Sequence, residues 1–131
     1  MSNAFPKHNL ETAPEKSKPL LSQLLDQSGP NGFYSVTAES PETLTAYAML
    51  HKAFMASSFT NEEKTVIWQT INVENQCHFC VPAHTYMAKA MKIDKAVSDA
   101  LRNETALPTA RLEALRDFTL LMLRNHGNAS D

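Results

Sequence analysis

The sequence predicts an all-α fold of roughly six helices. Apolar residues recur every three to four positions along most of its length, and no stretch alternates apolar and polar residues as a half-buried strand would. Helix-start signals also stand before several of the periodic segments. At 131 residues the chain is the size of one compact domain with a core of its own.

Residues 1–18 carry Pro6 and Pro14 among charges and show no apolar period, which predicts a flexible arm, disordered or laid against a neighbour. The helical domain is expected over residues 19–131. Leu20, Leu21, Leu24 and Leu25 then repeat at helical spacing, with Pro19 tolerated in the first turn. The segment SGPNGF, residues 28–33, is turn chemistry that ends this short helix. Ser40, Pro41 and Glu42 read as a cap, a first-position proline and a first-turn acid. Leu44, Tyr47, Ala48, His51, Phe54 and Met55 continue as one stripe of a helix to about residue 57. Thr60 with Glu63 predicts a capping box, followed by Val66, Ile67, Thr70, Ile71 and Val73. That helix should end near Asn75 and Gln76, and another should run over residues 77–92. Asp94 can cap a helix over 95–102, and Pro108 can open the last, over 108–124, with a stop near Gly127. Leu112, Leu115, Phe118 and Met122 form its expected core stripe. Leu120, Leu121 and Leu123 make its second half apolar almost all round, as in helices buried by another subunit.

The formal net charge of -2 argues against the basic face a nucleic-acid partner needs. No apolar run approaches the roughly 20 residues of a membrane span, and no secretory leader is expected at the start. The expected location is therefore cytoplasmic, where a close cysteine pair is redox-active or metal-binding more often than structural.

The chemistry concentrates in ENQCHFCVPAHTYMAKA, residues 74–90. At about 100 degrees per residue, Cys77, Cys80 and His84 fall on one helical face. The cysteine spacing lets the sulfurs join, and His84, one turn beyond Cys80, can share its proton. A helix's first turn stabilises a thiolate through its unpaired N–H groups and dipole. Three readings compete. Cys77, Cys80, His84 and His78 could ligate zinc, but structural zinc sites draw ligands from two segments and no second cysteine pair exists. His8, His51 and His126 are scattered, and His51 lies on an apolar stripe, as a core histidine would. The cysteines could instead be inert core residues. Two thiols and a histidine on one face favour a redox pair, with no metal or cofactor.

The pattern Glu74-Asn75-Gln76-Cys77-His78-Phe79-Cys80-Val81-Pro82-Ala83-His84 resembles the alkylhydroperoxidase AhpD-like, or carboxymuconolactone decarboxylase, family. Its signature is C-x-x-C-x-x-x-H after an N-x-C turn, and the similarity extends more loosely from about Leu20 to the end. The resemblance implies that family's helical fold, a homotrimer or a dimer of trimers, and a thiol-dependent peroxidase. It implies that Cys80 attacks the hydroperoxide, that Cys77 resolves the sulfenic acid as a disulfide, and that His84 activates the thiol. A dithiol reductant such as a lipoyl group would then reopen the disulfide. The family's proton-relay glutamate stands twelve residues before the first cysteine, where this sequence has Thr65. Glu74, three residues before Cys77, is the expected substitute, with Glu63 as a second candidate. Phe33, Tyr34, Met49, Phe54 and Met87 could line an apolar mouth for organic hydroperoxides, although such positions more often serve as core. A non-enzymatic redox-sensing or interaction module, or a zinc-held structural module, would share the same cysteine pair.

Overall fold

The computed structural model describes residues 5–129; residues 1–4 of the expected arm lie outside the described residues, as do 130–131. Among the described residues there are seven α-helices and no strand. They are α1 (Lys18–Ser28), α2 (Gly32–Thr37), α3 (Pro41–Met55), α4 (Asn61–Glu74), α5 (Cys80–Ala90), α6 (Lys95–Asn103) and α7 (Ala110–Arg124). The chain divides into two compact units, residues 1–57 and 58–131.

In the first unit α1, α2 and α3 pack on one another around Ala13, Leu21, Ala38 and Leu44, with Leu20, Leu24, Leu25 and Tyr34 against them. Each fully buried leucine contributes about 1.5–3 kcal/mol of hydrophobic stabilisation. Within the segment preceding α1, Ala13 and Ser17 are buried in the first unit. Ser17 is buried and its hydroxyl donates to the Ala38 carbonyl at 2.7 Å, while the His8 backbone N–H donates to Ser35 at 2.9 Å. The SGPNGF segment departs from the expected plain turn. Gly29, at φ 71, ends α1, but Asn31 starts a further helix by accepting from the N–H groups of Phe33 and Tyr34. An asparagine cap satisfies donors that a short helix otherwise leaves open, so turn residues here begin an element as well as end one. Ser40 caps α3 as expected, through Thr43 N–H at 3.2 Å. His51 stacks on Tyr47, and burial holds its pKa below the ordinary histidine value.

In the second unit α4 is the central helix and packs against α5, α6 and α7. Val66, Val97, Ala100, Leu101, Leu107 and Leu112 form the core, with Ile93 and Leu115 against it. Because α4 is covered on several sides, Glu63, Lys64, Thr65, Gln69 and Thr70 are buried along with Val66. The capping box forms: Glu63 N–H donates to Thr60 Oγ1 at 3.2 Å and Thr60 N–H to Glu63 Oε2 at 2.9 Å. Arg111 Nε reaches the other Glu63 oxygen at 2.7 Å, tying α7 to the start of α4.

Four chain reversals in this unit use non-glycine residues in the left-handed region: Gln76, Lys92, Glu104 and His126. The last helix begins at Ala110 with Thr109 as its cap, two residues later than Pro108 suggested. Its expected stripe holds for the buried Leu112 but fails at Phe118, which is 54% exposed. Residues 120–123 are half-buried. No helix of the described residues is long and apolar enough to cross a membrane.

Candidate redox site

The end of α4 sets the position of the first cysteine. Gln76, at φ 49, turns the chain back, and two hydrogen bonds lock the turn: Gln76 N–H to Val73 O at 2.9 Å and Cys77 N–H to Asn72 O at 3.0 Å. This is a Schellman termination with glutamine where glycine is usual, and it satisfies carbonyls the helix end would leave open. Cys77 is the residue the motif delivers.

The next helix starts at Cys80, not at Cys77 as the sequence suggested. The physical reason is that the Schellman turn commits Cys77 to closing α4, so residues 77–79 form a tight connection. The Cys77 carbonyl accepts Val81 N–H at 3.1 Å, and its sulfur accepts Cys80 N–H at 3.1 Å. No side-chain oxygen caps α5, so a sulfur occupies the place of a capping acceptor at a helix N-terminus. Cys77 and Cys80 are joined as a disulfide with a Cα–Cα separation of 5.2 Å, and both are half-buried. His78 and Phe79, between them, are exposed.

Four residues beyond Cys80, His84 lies one helical turn along the same face of α5. Its Nδ1 is buried, and its ring lies 5.0 Å from that of Trp68 on α4 at a tilt of 57°. Cys77 thus lies on the connection into α5, Cys80 at the first position of that helix and His84 one turn further along it.

Glu74 is placed differently. As the last residue of α4 it turns to α7, where Arg124 grips both carboxylate oxygens, Nε to Oε1 at 2.6 Å and Nη2 to Oε2 at 2.8 Å. Those hydrogen bonds and the guanidinium charge hold the carboxyl below its usual range and raise Arg124 above its own. Glu63 is held low as well, by the Thr60 N–H first and by Arg111 second. At neutral pH both candidate relay carboxylates are thus fixed anions. The Thr65 hydroxyl donates to the Asn61 carbonyl at 2.9 Å. Phe33, Tyr34, Met49 and Phe54 belong to the first unit and Met87 to the second, and Met49 is 67% exposed.

Three residues that the sequence did not single out support the site. Gln69 is wholly buried, and its amide donates to Val81 O at 3.1 Å and Thr85 Oγ1 at 3.0 Å, pinning α5 to α4. Asn72 in turn donates to the Gln69 oxygen at 3.0 Å, and its own carbonyl receives Cys77 N–H. One hydrogen-bonded chain therefore links the middle of α4, the second turn of α5 and the disulfide. Trp68 is the third. Its sequence signal was that it is the only tryptophan. A glutamine inside a helix offers no such signal, since that residue type is ordinarily exposed.

Among the described residues no group of three or more His, Cys, Asp and Glu side chains is arranged to hold a metal ion. No protein-family model matches the chain, and no curated protein matches it.

Proposed function

We propose that the Cys77–Cys80 pair is the redox centre of a thiol-dependent peroxidase that cycles between dithiol and disulfide. The observation that carries this reading is the joining of the two sulfurs at the N-terminus of an 11-residue helix, with His84 one turn beyond. Helix N-termini and a neighbouring imidazolium favour thiolate over thiol, which is the form that attacks peroxides.

In the forward step the Cys80 thiolate attacks the distal peroxide oxygen. The O–O bond breaks, Cys80 becomes a sulfenic acid, and the alkoxide leaves with a proton from His84 in its acid form. The Cys77 thiolate then attacks the Cys80 sulfur, forming the disulfide and releasing the oxygen as hydroxide, which leaves as water once protonated. A dithiol of the lipoyl type returns two electrons by thiol–disulfide exchange and is itself closed to a disulfide. Glu74 enters as a fixed charge beside Arg124 rather than as a proton carrier, and a water or hydroxyl chain moves the proton. The assembly we propose is a homo-oligomer, a trimer or hexamer, in the cytoplasm.

The test is steady-state consumption of hydrogen peroxide and of an alkyl hydroperoxide with dihydrolipoamide as electron donor. Turnover that is lost in both Cys77→Ser and Cys80→Ser supports the reading, with a dimedone-trappable sulfenic acid on Cys80 in the former. A single round of oxidation without cycling would instead identify a redox-sensing module. Full alkylation of both thiols after peroxide treatment would remove the redox reading altogether.

A further inference from the structure

We infer that the cleft between α4, α6 and α7 is a binding site for a small organic ammonium ion, a primary amine on a short apolar chain. This site is separate from the cysteine pair and does not depend on the peroxidase reading.

The cleft has a volume of about 200 Å³ and is lined by Thr70, Val73 and Glu74 of α4, by Leu101 and Glu104 at the end of α6, and by Arg116, Asp117 and Leu120 of α7. That is below the roughly 300 Å³ at which drug-sized ligands are accommodated, so the occupant is small. Thr70 supplies the first pointer. It is 5% exposed, and its buried hydroxyl has no hydrogen-bond partner. Five other helical threonines of the chain behave differently. Thr37, Thr45, Thr65, Thr85 and Thr119 each donate to the carbonyl four residues back, at 2.6–2.9 Å. Thr70 forgoes that bond although the Val66 carbonyl stands at the same offset. A buried hydroxyl without a partner costs about 1–3 kcal/mol, so such a group in a cleft wall marks a place for a ligand atom.

Charge around the cleft gives the second pointer. Arg116 is engaged by Glu113 and donates to the Thr105 carbonyl at 2.7 Å, and Arg124 is engaged by Glu74. Beyond these two ion pairs the carboxylates of Glu104 and Asp117 add two negative charges that no further guanidinium of the cleft matches one to one. No hydrogen bond or ion pair engages Asp117, while Glu104 adds to the field at Arg124. Glu104 is held at the cleft by a left-handed backbone, φ 54, a conformation that disfavours side chains larger than hydrogen.

The walls decide between kinds of cation. Val73, Leu101 and Leu120 present hydrocarbon, which suits an alkyl chain and offers nothing to a hydrated metal ion. No set of three metal-ligating side chains is found among the described residues. An ammonium head can meet Asp117 and Glu104 and donate to the Thr70 hydroxyl, with its alkyl chain on the apolar wall.

The experiment is an amide-resolved NMR titration of the full chain with n-butylammonium chloride, run beside sodium chloride at matched ionic strength. Saturable shifts centred on Thr70, Val73, Leu101, Asp117 and Leu120 are expected. Asp117→Asn and Glu104→Gln, both solvent-facing changes, should each weaken binding at least fivefold. Thr70→Val should weaken it by a similar factor, and Thr70→Ser, which keeps the hydroxyl, should stay within twofold of wild type. Should Thr70→Val fail to fold, the serine variant and the two charge variants still decide. Shifts that grow linearly or equal those of sodium would overturn the proposal, as would unchanged affinity in Asp117→Asn. Equal saturation by n-butyrate, or by magnesium chloride at the same concentration, would also overturn it.

Discussion

Gln69→Leu removes the amide that pins α5 to α4 while keeping a side chain of similar size. The wild-type amide makes three hydrogen bonds, to Val81 O, to Thr85 Oγ1 and from Asn72 Nδ2. At about 1 kcal/mol net per bond, their loss costs roughly 3 kcal/mol. The Val81 carbonyl keeps the Thr85 hydroxyl at 2.7 Å and Asn72 is only half-buried, so neither is stranded. Burying the leucine hydrocarbon returns about 1 kcal/mol, which leaves a net destabilisation of about 2 kcal/mol. At about 4 °C per kcal/mol for a chain of this size, the thermal midpoint should fall by roughly 8 °C. Urea unfolding followed by the fluorescence of Trp68, the only tryptophan and part of the same helix, is the matching assay. A companion variant, Gln69→Glu, sharpens the test. An ionised carboxylate cannot donate to Val81 O and is penalised by burial, so its folded pKa lies above the unfolded one. Folding then takes up a proton, and this variant should gain stability as the pH falls from about 7 to about 5, where the wild type does not. A Gln69→Leu midpoint equal to or above wild type would refute the reasoning, as would a Gln69→Glu variant indifferent to pH across that range.

Glu63, Glu74 and Glu113 all have carboxyls held low in the folded state, so their stabilisation is present above the unfolded value near about 4.3 and is lost as pH falls through the folded values. Stability of the second unit should therefore decline on acidification below that range, and Glu63→Gln should flatten the decline in a pH series of urea midpoints. Replacing Gln76 by glycine at φ 49 should stabilise the chain by up to about 1 kcal/mol, read from the denaturation midpoint, because the left-handed turn no longer opposes a side chain. The 54% exposure of Phe118 and the half-buried Leu120–Leu123 run point to self-association. Light scattering with gel filtration should show more than one chain per particle at micromolar concentration, and a clean monomer would contradict it.

The sequence by itself determined the helical class, because a period of three to four residues follows from backbone geometry and needs no partner to be read. Local caps were equally legible: Ser40, Thr60 with Glu63, and Asp94 each bond within four residues of themselves, so neighbours in sequence suffice. The cysteine pair was legible for the same reason, since sulfurs three residues apart meet through a single turn. The α2 helix was missed because Asn31 serves both as a turn residue and as a cap, and composition cannot separate those roles. Only the tertiary structure decided which polar residues are buried. Gln69 and Thr70 lie inside because α5, α6 and α7 all close on α4, and no local pattern records that three helices share one. Glu74 is the sharpest case. Its distance of three residues from Cys77 suggested a role in the proton path, yet its carboxylate is gripped by Arg124, fifty residues further along. Spacing along the chain gives what a side chain can reach, whereas the partner it takes depends on which helix folds back beside it.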